Sequence, residues 1–119
     1  PYSKAPPKAV AQDAAMESAV MKVAKDDSWG TKIDFQRALI AMDWSVTRGK
    51  YGSIRGRKRF IWVGGPAKTQ ERAGDCFYVL FSAYQSHMGG GSYGATRYSW
   101  AASTRPNKRK IRCEDDSQG

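Results

Sequence analysis

Histidine and cysteine are scarce in this 119-residue chain, which holds one histidine and two cysteines. A structural zinc site needs four ligands, commonly in close pairs such as C-x-x-C, and the sequence has no such pair. The glycine-rich segments 64–66 and 89–92 lack the lysine and hydroxyl residue of a phosphate-binding loop. We therefore expect neither a metal site nor a cofactor.

Long apolar runs are also absent, since the longest are far too short to span a bilayer. Hydrophobic residues nevertheless make up 40% of the chain and charged residues 26%. This composition is typical of a globular protein and argues against a chain that is disordered as a whole. The length suits one domain with one core.

Acidic residues are nearly missing from one long part of the chain. Residues 44–112 hold fourteen lysines and arginines but only Glu71 and Asp75, a net charge of +12, whereas residues 1–43 are neutral. A concentrated positive field attracts anionic partners. Nucleic acid, an acidic protein surface and anionic lipid are all candidates, and a solvated basic face without a partner is the alternative.

The basic residues form two clusters. The first comprises Arg48, Lys50, Arg55, Arg57, Lys58 and Arg59, and the second comprises Arg97, Arg105, Lys108, Arg109, Lys110 and Arg112. We predict that the anionic partner is bound by the whole first cluster together with Arg97, Lys108, Arg109 and Arg112.

Aromatic residues alternate with these cations. Single-stranded nucleic acid is held in this way, with bases stacked on rings and phosphates met by cations. The rings concerned are Tyr51, Phe60, Trp62, Tyr93, Tyr98 and Trp100. In the alternative interpretation Phe60, Trp62 and Trp100 belong to the core, and for Trp62, between Ile61 and Val63, we expect the core.

The first part of the chain predicts helices. Residues 10–27 are rich in alanine, and Met16, Val20 and Val23 recur at helical spacing. Residues 33–43 predict a second, shorter helix. The proline-rich segment 1–9 predicts an extended arm suited to contact with a neighbour, and 114–119 predicts an acidic flexible tail. A single domain would span residues 10–113.

From Trp44 onward, β-prone segments alternate with turns. Strands are predicted over 44–47, 53–63, 93–103 and 108–113, with Arg55, Arg57 and Arg59 on one face of the second. Residues 76–85 fit both a strand and a helix, and we favour the strand. The order predicts an α+β fold, with one or two N-terminal helices packed on an antiparallel sheet of four to five strands formed by the second half.

Cys76 and Cys113 are candidates for a disulfide. In an exported protein they would close a long loop, whereas in a reducing compartment they would be buried free thiols. The sequence alone leaves both open, so the chain is expected to be exported if the two are bonded and intracellular otherwise.

His87 is the one candidate for catalysis, by metal-independent cleavage of RNA. That reaction needs a second acid or base, for which Glu71 and Asp75 are candidates, and cations such as Arg55, Arg57 or Arg97 on the phosphate. The alternative is a histidine in a turn without a catalytic task, which we favour.

Three functions remain. The leading hypothesis is a small basic binding protein, not an enzyme, whose partner is RNA or DNA, with RNA favoured, within a larger assembly. The second is an exported toxin or effector, for which metal-independent ribonuclease activity is one option. The third is a structural linker subunit that docks on an acidic protein surface.

Overall fold

The computed structural model describes residues 1–3 and 5–116. Within them, one α-helix, α1 (Ala14–Asp26), and a 3-10 turn (Ser28–Thr31) precede the strands. These are β1 (Arg37–Ile40), β2 (Ser45–Arg48), β3 (Ile54–Pro66), β4 (Asp75–Gly89), β5 (Ser92–Tyr93), β6 (Arg97–Trp100) and β7 (Lys108–Arg112). Among these residues, no helix is long and apolar enough to cross a membrane.

The long strands β3 and β4 form the centre of one antiparallel sheet. They pair from Gly56 opposite Ser86 to Pro66 opposite Cys76. β1 and β2 together pair with the outer edge of β3, while β7, β6 and β5 pair with β4. The α+β prediction and the strand over 76–85 are confirmed. The sheet has seven strands rather than four or five because its edges are built from short pieces.

The predicted second helix over 33–43 is wrong, because this segment contains strand β1. Residues 37–40 pair with Ile61–Gly64 of β3. As a strand, the segment places Ile40 in the core beneath α1 and Leu39 against the opposite core cluster. Pairing with the edge of β3 thus satisfies the backbone hydrogen-bonding groups of this segment. This tertiary pairing outweighs the helical spacing of the apolar residues.

The near face of the sheet is the face that α1 covers. Met16, Val20 and Ala24 of the helix are buried against a cluster that includes Ile61 and Phe81. At the start of α1, the Asp13 carboxylate accepts from the Met16 amide at 3.1 Å, and Glu17 reaches back to the Asp13 amide at 2.8 Å. These reciprocal bonds satisfy backbone donors that a helix start leaves open.

The far face is the opposite face of the sheet, and it has its own core. Trp62, Tyr78, Leu80, Ala101 and Ile111 are buried there, so the expectation that Trp62 belongs to the core is confirmed.

The N-terminal arm is attached to both edges of the sheet. The Ser3 amide donates to the Lys110 carbonyl on β7, and the Val10 amide donates to the Ile40 carbonyl on β1. Since these strands lie on opposite edges, the arm runs from one edge of the sheet to the other. Pro6 and Pro7 are buried, so the arm packs on its own domain.

The chain after β7 is attached to the far face of the sheet. Cys113 forms a disulfide with Cys76 of β4. The Asp116 carboxylate accepts from the Tyr78 hydroxyl at 3.0 Å and pairs with Arg37 at 2.6 Å. Burial, and then this hydrogen bond, raise the pKa of Tyr78. The packed structure therefore extends to residue 116, and residues 117–119 of the predicted tail lie outside the described residues.

Candidate nucleic-acid interface

One end of the elongated molecule is basic. The molecule measures 50 × 26 × 25 Å, and the last buried apolar side chains towards this end are Ile61 on β3 and Ala83 on β4. We call the residues beyond them, 45–58 and 84–97, the basic end. It holds six cations, Arg48, Lys50, Arg55, Arg57, Lys58 and Arg97, and no carboxylate. Its field is therefore uniformly positive.

Arg57 is the most firmly held cation of the basic end. On the near face, its guanidinium carbon lies 4.4 Å from the ring centre of Trp44 and 4.1 Å from that of Tyr93. Its Nε donates to Gln85 at 2.7 Å, and Gln85 in turn donates to the Thr96 hydroxyl. Two rings and one amide thus fix a planar cation in advance of binding. Among the described residues, no acceptor occupies its two terminal nitrogens.

A row of cation, ring and cation crosses the far face. Lys58, Tyr84 and Arg97 lie opposite one another on adjacent strands, and Arg97 lies 5.4 Å from the Tyr84 ring centre. Phe60, which is partly exposed, lies diagonally from Tyr84. Two rings on one sheet face can stack on the bases of a nucleic acid, and the cations beside them can contact its phosphates.

Gly56 determines how the Tyr84 ring lies. A Cβ atom at position 56 would come within 2.4 Å of the Tyr84 hydroxyl oxygen and 2.6 Å of its Cζ. The ring therefore lies over the bare backbone of Gly56, and its hydroxyl donates to the Arg55 carbonyl at 3.3 Å. This contact keeps the ring against the sheet.

The β2–β3 turn extends the basic end into solvent. Arg48 donates to the Gly52 carbonyl at 2.9 Å, Lys50 lies 5.7 Å from the Tyr51 ring centre, and the Tyr51 ring is 90% exposed. Arg55 is exposed at the foot of this turn. These groups remain accessible to a ligand.

Arg59 shares the near face with Arg57, but it is buried. Its Nε donates to the Met42 carbonyl at 3.2 Å and its Nη2 pairs with Asp43 at 3.3 Å. Arg57 and Arg59 share one face, whereas Arg55 lies at a register shift between β2 and β3. Arg57 is only partly buried, and Arg59 is buried. Arg59 therefore fixes the chain that leads into β2, through hydrogen bonds that Arg57 does not make.

The second predicted cluster is divided by the fold. Arg97 joins the basic end, whereas Lys108, Arg109 and Arg112 lie on β7, which pairs with the other half of β4. Arg109 lies 5.1 Å from the Trp62 ring centre and Arg112 4.4 Å from that of Tyr2. These two arginines cover rings of their own chain, so the two clusters do not form one patch.

His87 lies in the basic end, 5.5 Å from the Tyr93 ring centre. Its predicted partners are far away, because Asp75 begins the same strand and Glu71 precedes it. Twelve residues of strand separate Asp75 from His87 by about 40 Å. The structure therefore does not bring His87 together with Glu71 or Asp75.

The sequence did not single out three residues that contribute to this surface, namely Trp44, Tyr84 and Gln85. Their contacts depend on the register in which Arg57 opposes Gln85 and Lys58 opposes Tyr84. Strand alternation around Tyr84 could have indicated that its ring lies on one face of the sheet. The sequence of residues 76–85, however, fitted both a strand and a helix.

Comparison of the chain with protein-family models, curated proteins and solved structures finds no match.

Proposed function

We propose that the protein binds single-stranded nucleic acid, with RNA preferred over DNA, through the basic end. The observation that carries the proposal is Arg57, which is held between Trp44 and Tyr93 and has no acceptor on its terminal nitrogens among residues 1–3 and 5–116. A fixed, planar guanidinium suits bidentate contact with a phosphate.

The far-face row supports single strands over duplexes. Tyr84 and Phe60 can stack only on bases that are unpaired and turned outward. Beside Phe60, the Ser82 and Ser99 hydroxyls lie 3.2 Å apart. Such groups can exchange hydrogen bonds with a ribose 2′-hydroxyl, which supports RNA over DNA.

The test is fluorescence anisotropy of a labelled oligouridine of about 15 nucleotides, a length suited to a small single-strand site. With six cations, the log–log dependence of the association constant on salt is expected to have a slope of about −4. The matching oligodeoxyuridine is expected to bind about 3-fold more weakly, and an RNA duplex about 10-fold more weakly.

Arg57→Lys is the variant that tests the held guanidinium, because it keeps the charge and removes the planar group. We expect it to weaken RNA binding about 5-fold, which is roughly 1 kcal/mol, because a lysine ammonium cannot make the bidentate phosphate contact of a fixed guanidinium. Arg55→Lys is the matched control, since Arg55 is exposed at the same end, and its effect is expected to stay within about 2-fold.

Three outcomes would overturn the proposal. Equal binding of duplex and single strand would remove the stacking role, and cleavage of the oligouridine would favour the ribonuclease hypothesis. No binding even at about 50 mM salt would favour the linker-subunit hypothesis, in which the partner is an acidic protein surface.

We propose further that the protein is exported. The Cys76–Cys113 disulfide supports this, because such bonds persist in oxidising compartments. Protein isolated from its natural source without reductant is then expected to weigh two hydrogen masses less than the reduced chain. A fully reduced mass would contradict export.

A further inference from the structure

A cavity lies on the near face, away from the basic end. Its volume is about 540 Å³, within the range of small-molecule pockets. Ile33, Phe77 and Val79 form its apolar floor, and the Trp29 indole forms one wall. Phe77 is only partly buried, so its ring is available to a ligand.

Trp29 is held rigidly in this wall. The Asp27 carboxylate accepts from the Trp29 amide at 3.1 Å, and the indole meets the ring of Trp100 edge to face at 5.5 Å. Lys68 fixes the same turn by donating to the Gly30 carbonyl at 2.7 Å. The wall therefore exists before any ligand binds.

Two ammonium groups flank this indole. The Nζ of Lys32 lies 5.5 Å from the Trp29 ring centre, and that of Lys108 lies 5.4 Å from it. Among the described residues, no carboxylate lies within 4 Å of either ammonium. Arg72 also lines the cavity. Glu71 is the one acidic residue among the described residues that line it, so the rim carries a net positive charge.

From this arrangement we infer that the cavity binds a small planar aromatic molecule that carries one negative group. The aromatic body lies between the Trp29 indole and the Phe77 ring, where apolar area is removed from water. The negative group meets the exposed ammonium groups of Lys32 and Lys108 at the rim, where two cations attract it together. This site is separate from the basic end and does not depend on RNA binding.

The experiment titrates the full chain, disulfide intact, with 2-naphthoate and follows the amide and indole N–H signals by NMR. We expect saturable shifts confined to the cavity, above all at the Trp29 indole. The uncharged analogue 2-naphthalenemethanol is expected to bind about 10-fold more weakly, since it lacks the charge.

Charge-removing variants locate the anion. Lys32→Gln with Lys108→Gln is expected to weaken naphthoate binding about 10-fold and to leave 2-naphthalenemethanol unchanged. Both lysines are exposed, so the fold is preserved. The matched control is Lys22→Gln with Lys25→Gln on α1, which removes the same charge and leaves the affinity unchanged.

Equal affinity for the charged and uncharged compounds would overturn the inference, as would shifts centred on the basic end. Failure of naphthoate to bind at millimolar concentration would also overturn it. None of these results bears on RNA binding, because the two sites share no residue.

Discussion

Neutralising Arg55, Lys58 and Arg97 together, each to glutamine, is expected to weaken RNA binding about 100-fold at about 0.1 M salt. Lys58 and Arg97 lie on the far face, and Arg55 lies at the foot of the β2–β3 turn. All three are exposed and have no salt-bridge partner among the described residues. For a single strand, each phosphate contact contributes about 0.7 to the log–log salt slope, which is a factor of about 5 at this salt concentration.

The salt slope is the more specific result. Losing three contacts is expected to change it from about −4 to about −2, with no change in the free energy of unfolding. The matched control replaces Lys8, Lys22 and Lys25 by glutamine, which removes the same net charge from exposed sites outside the basic end. The control is expected to change affinity less than about 3-fold, by weakening the overall field.

Equal losses in the two triple variants would mean that overall charge, and not the basic end, attracts RNA. A variant of β7, Lys108→Gln with Arg112→Gln, then shows whether the second cluster contributes. Because Arg112 already lies over the Tyr2 ring, we expect this variant to bind RNA nearly as the wild type does.

Asp116→Asn is expected to lower the free energy of unfolding by about 3 kcal/mol. The Asp116 side chain is only 1% exposed, and it balances the charge of Arg37, which is 24% exposed. The Arg37 Nη1 atom is buried and already lacks a hydrogen-bond partner among the described residues. Asparagine carries no charge and keeps only one acceptor oxygen, so the partly buried guanidinium of Arg37 would lose its counter-charge and would compete with the Tyr78 hydroxyl for that oxygen.

Guanidinium unfolding followed by tryptophan fluorescence, with the disulfide intact, measures this loss. Asp115→Asn is the control, since Asp115 is an exposed neighbour with no ion pair among the described residues, and it is expected to stay within about 0.5 kcal/mol of the wild type. Adding Arg37→Gln to Asp116→Asn is expected to cost less than the sum of the single changes, because the unpaired charge is gone. A loss below about 0.5 kcal/mol for Asp116→Asn would show that the pair does not stabilise the fold.

Local pattern was sufficient for most of the fold. The helical spacing of Met16, Val20 and Val23 predicted α1, and the alternation from Ile54 onward predicted the long strand β3. The segment from Cys76 fitted either a helix or a strand by spacing alone, and its aromatic and β-branched content correctly favoured the strand. The segment around Leu39 misled because its partner, β3, lies more than twenty residues away in sequence.

The candidate site was predictable in its chemistry but not in its geometry. The distribution of residue types along the chain located the excess of cations and rings between Trp44 and Arg112. It could not show that Arg59 is buried, that Arg97 belongs beside Lys58, or that Asp75 lies at the far end of the strand from His87.

The sequence by itself determined the fold class, the charge and the positions of most strands, because helix spacing, strand alternation and charge are properties of neighbouring residues. Only the tertiary structure decided which cations are buried and which rings lie beside them. Those features depend on strand register, in which Arg57 meets Gln85 across β3 and β4. A shift of one residue would move every side chain of a strand to the opposite face, so register determines the site.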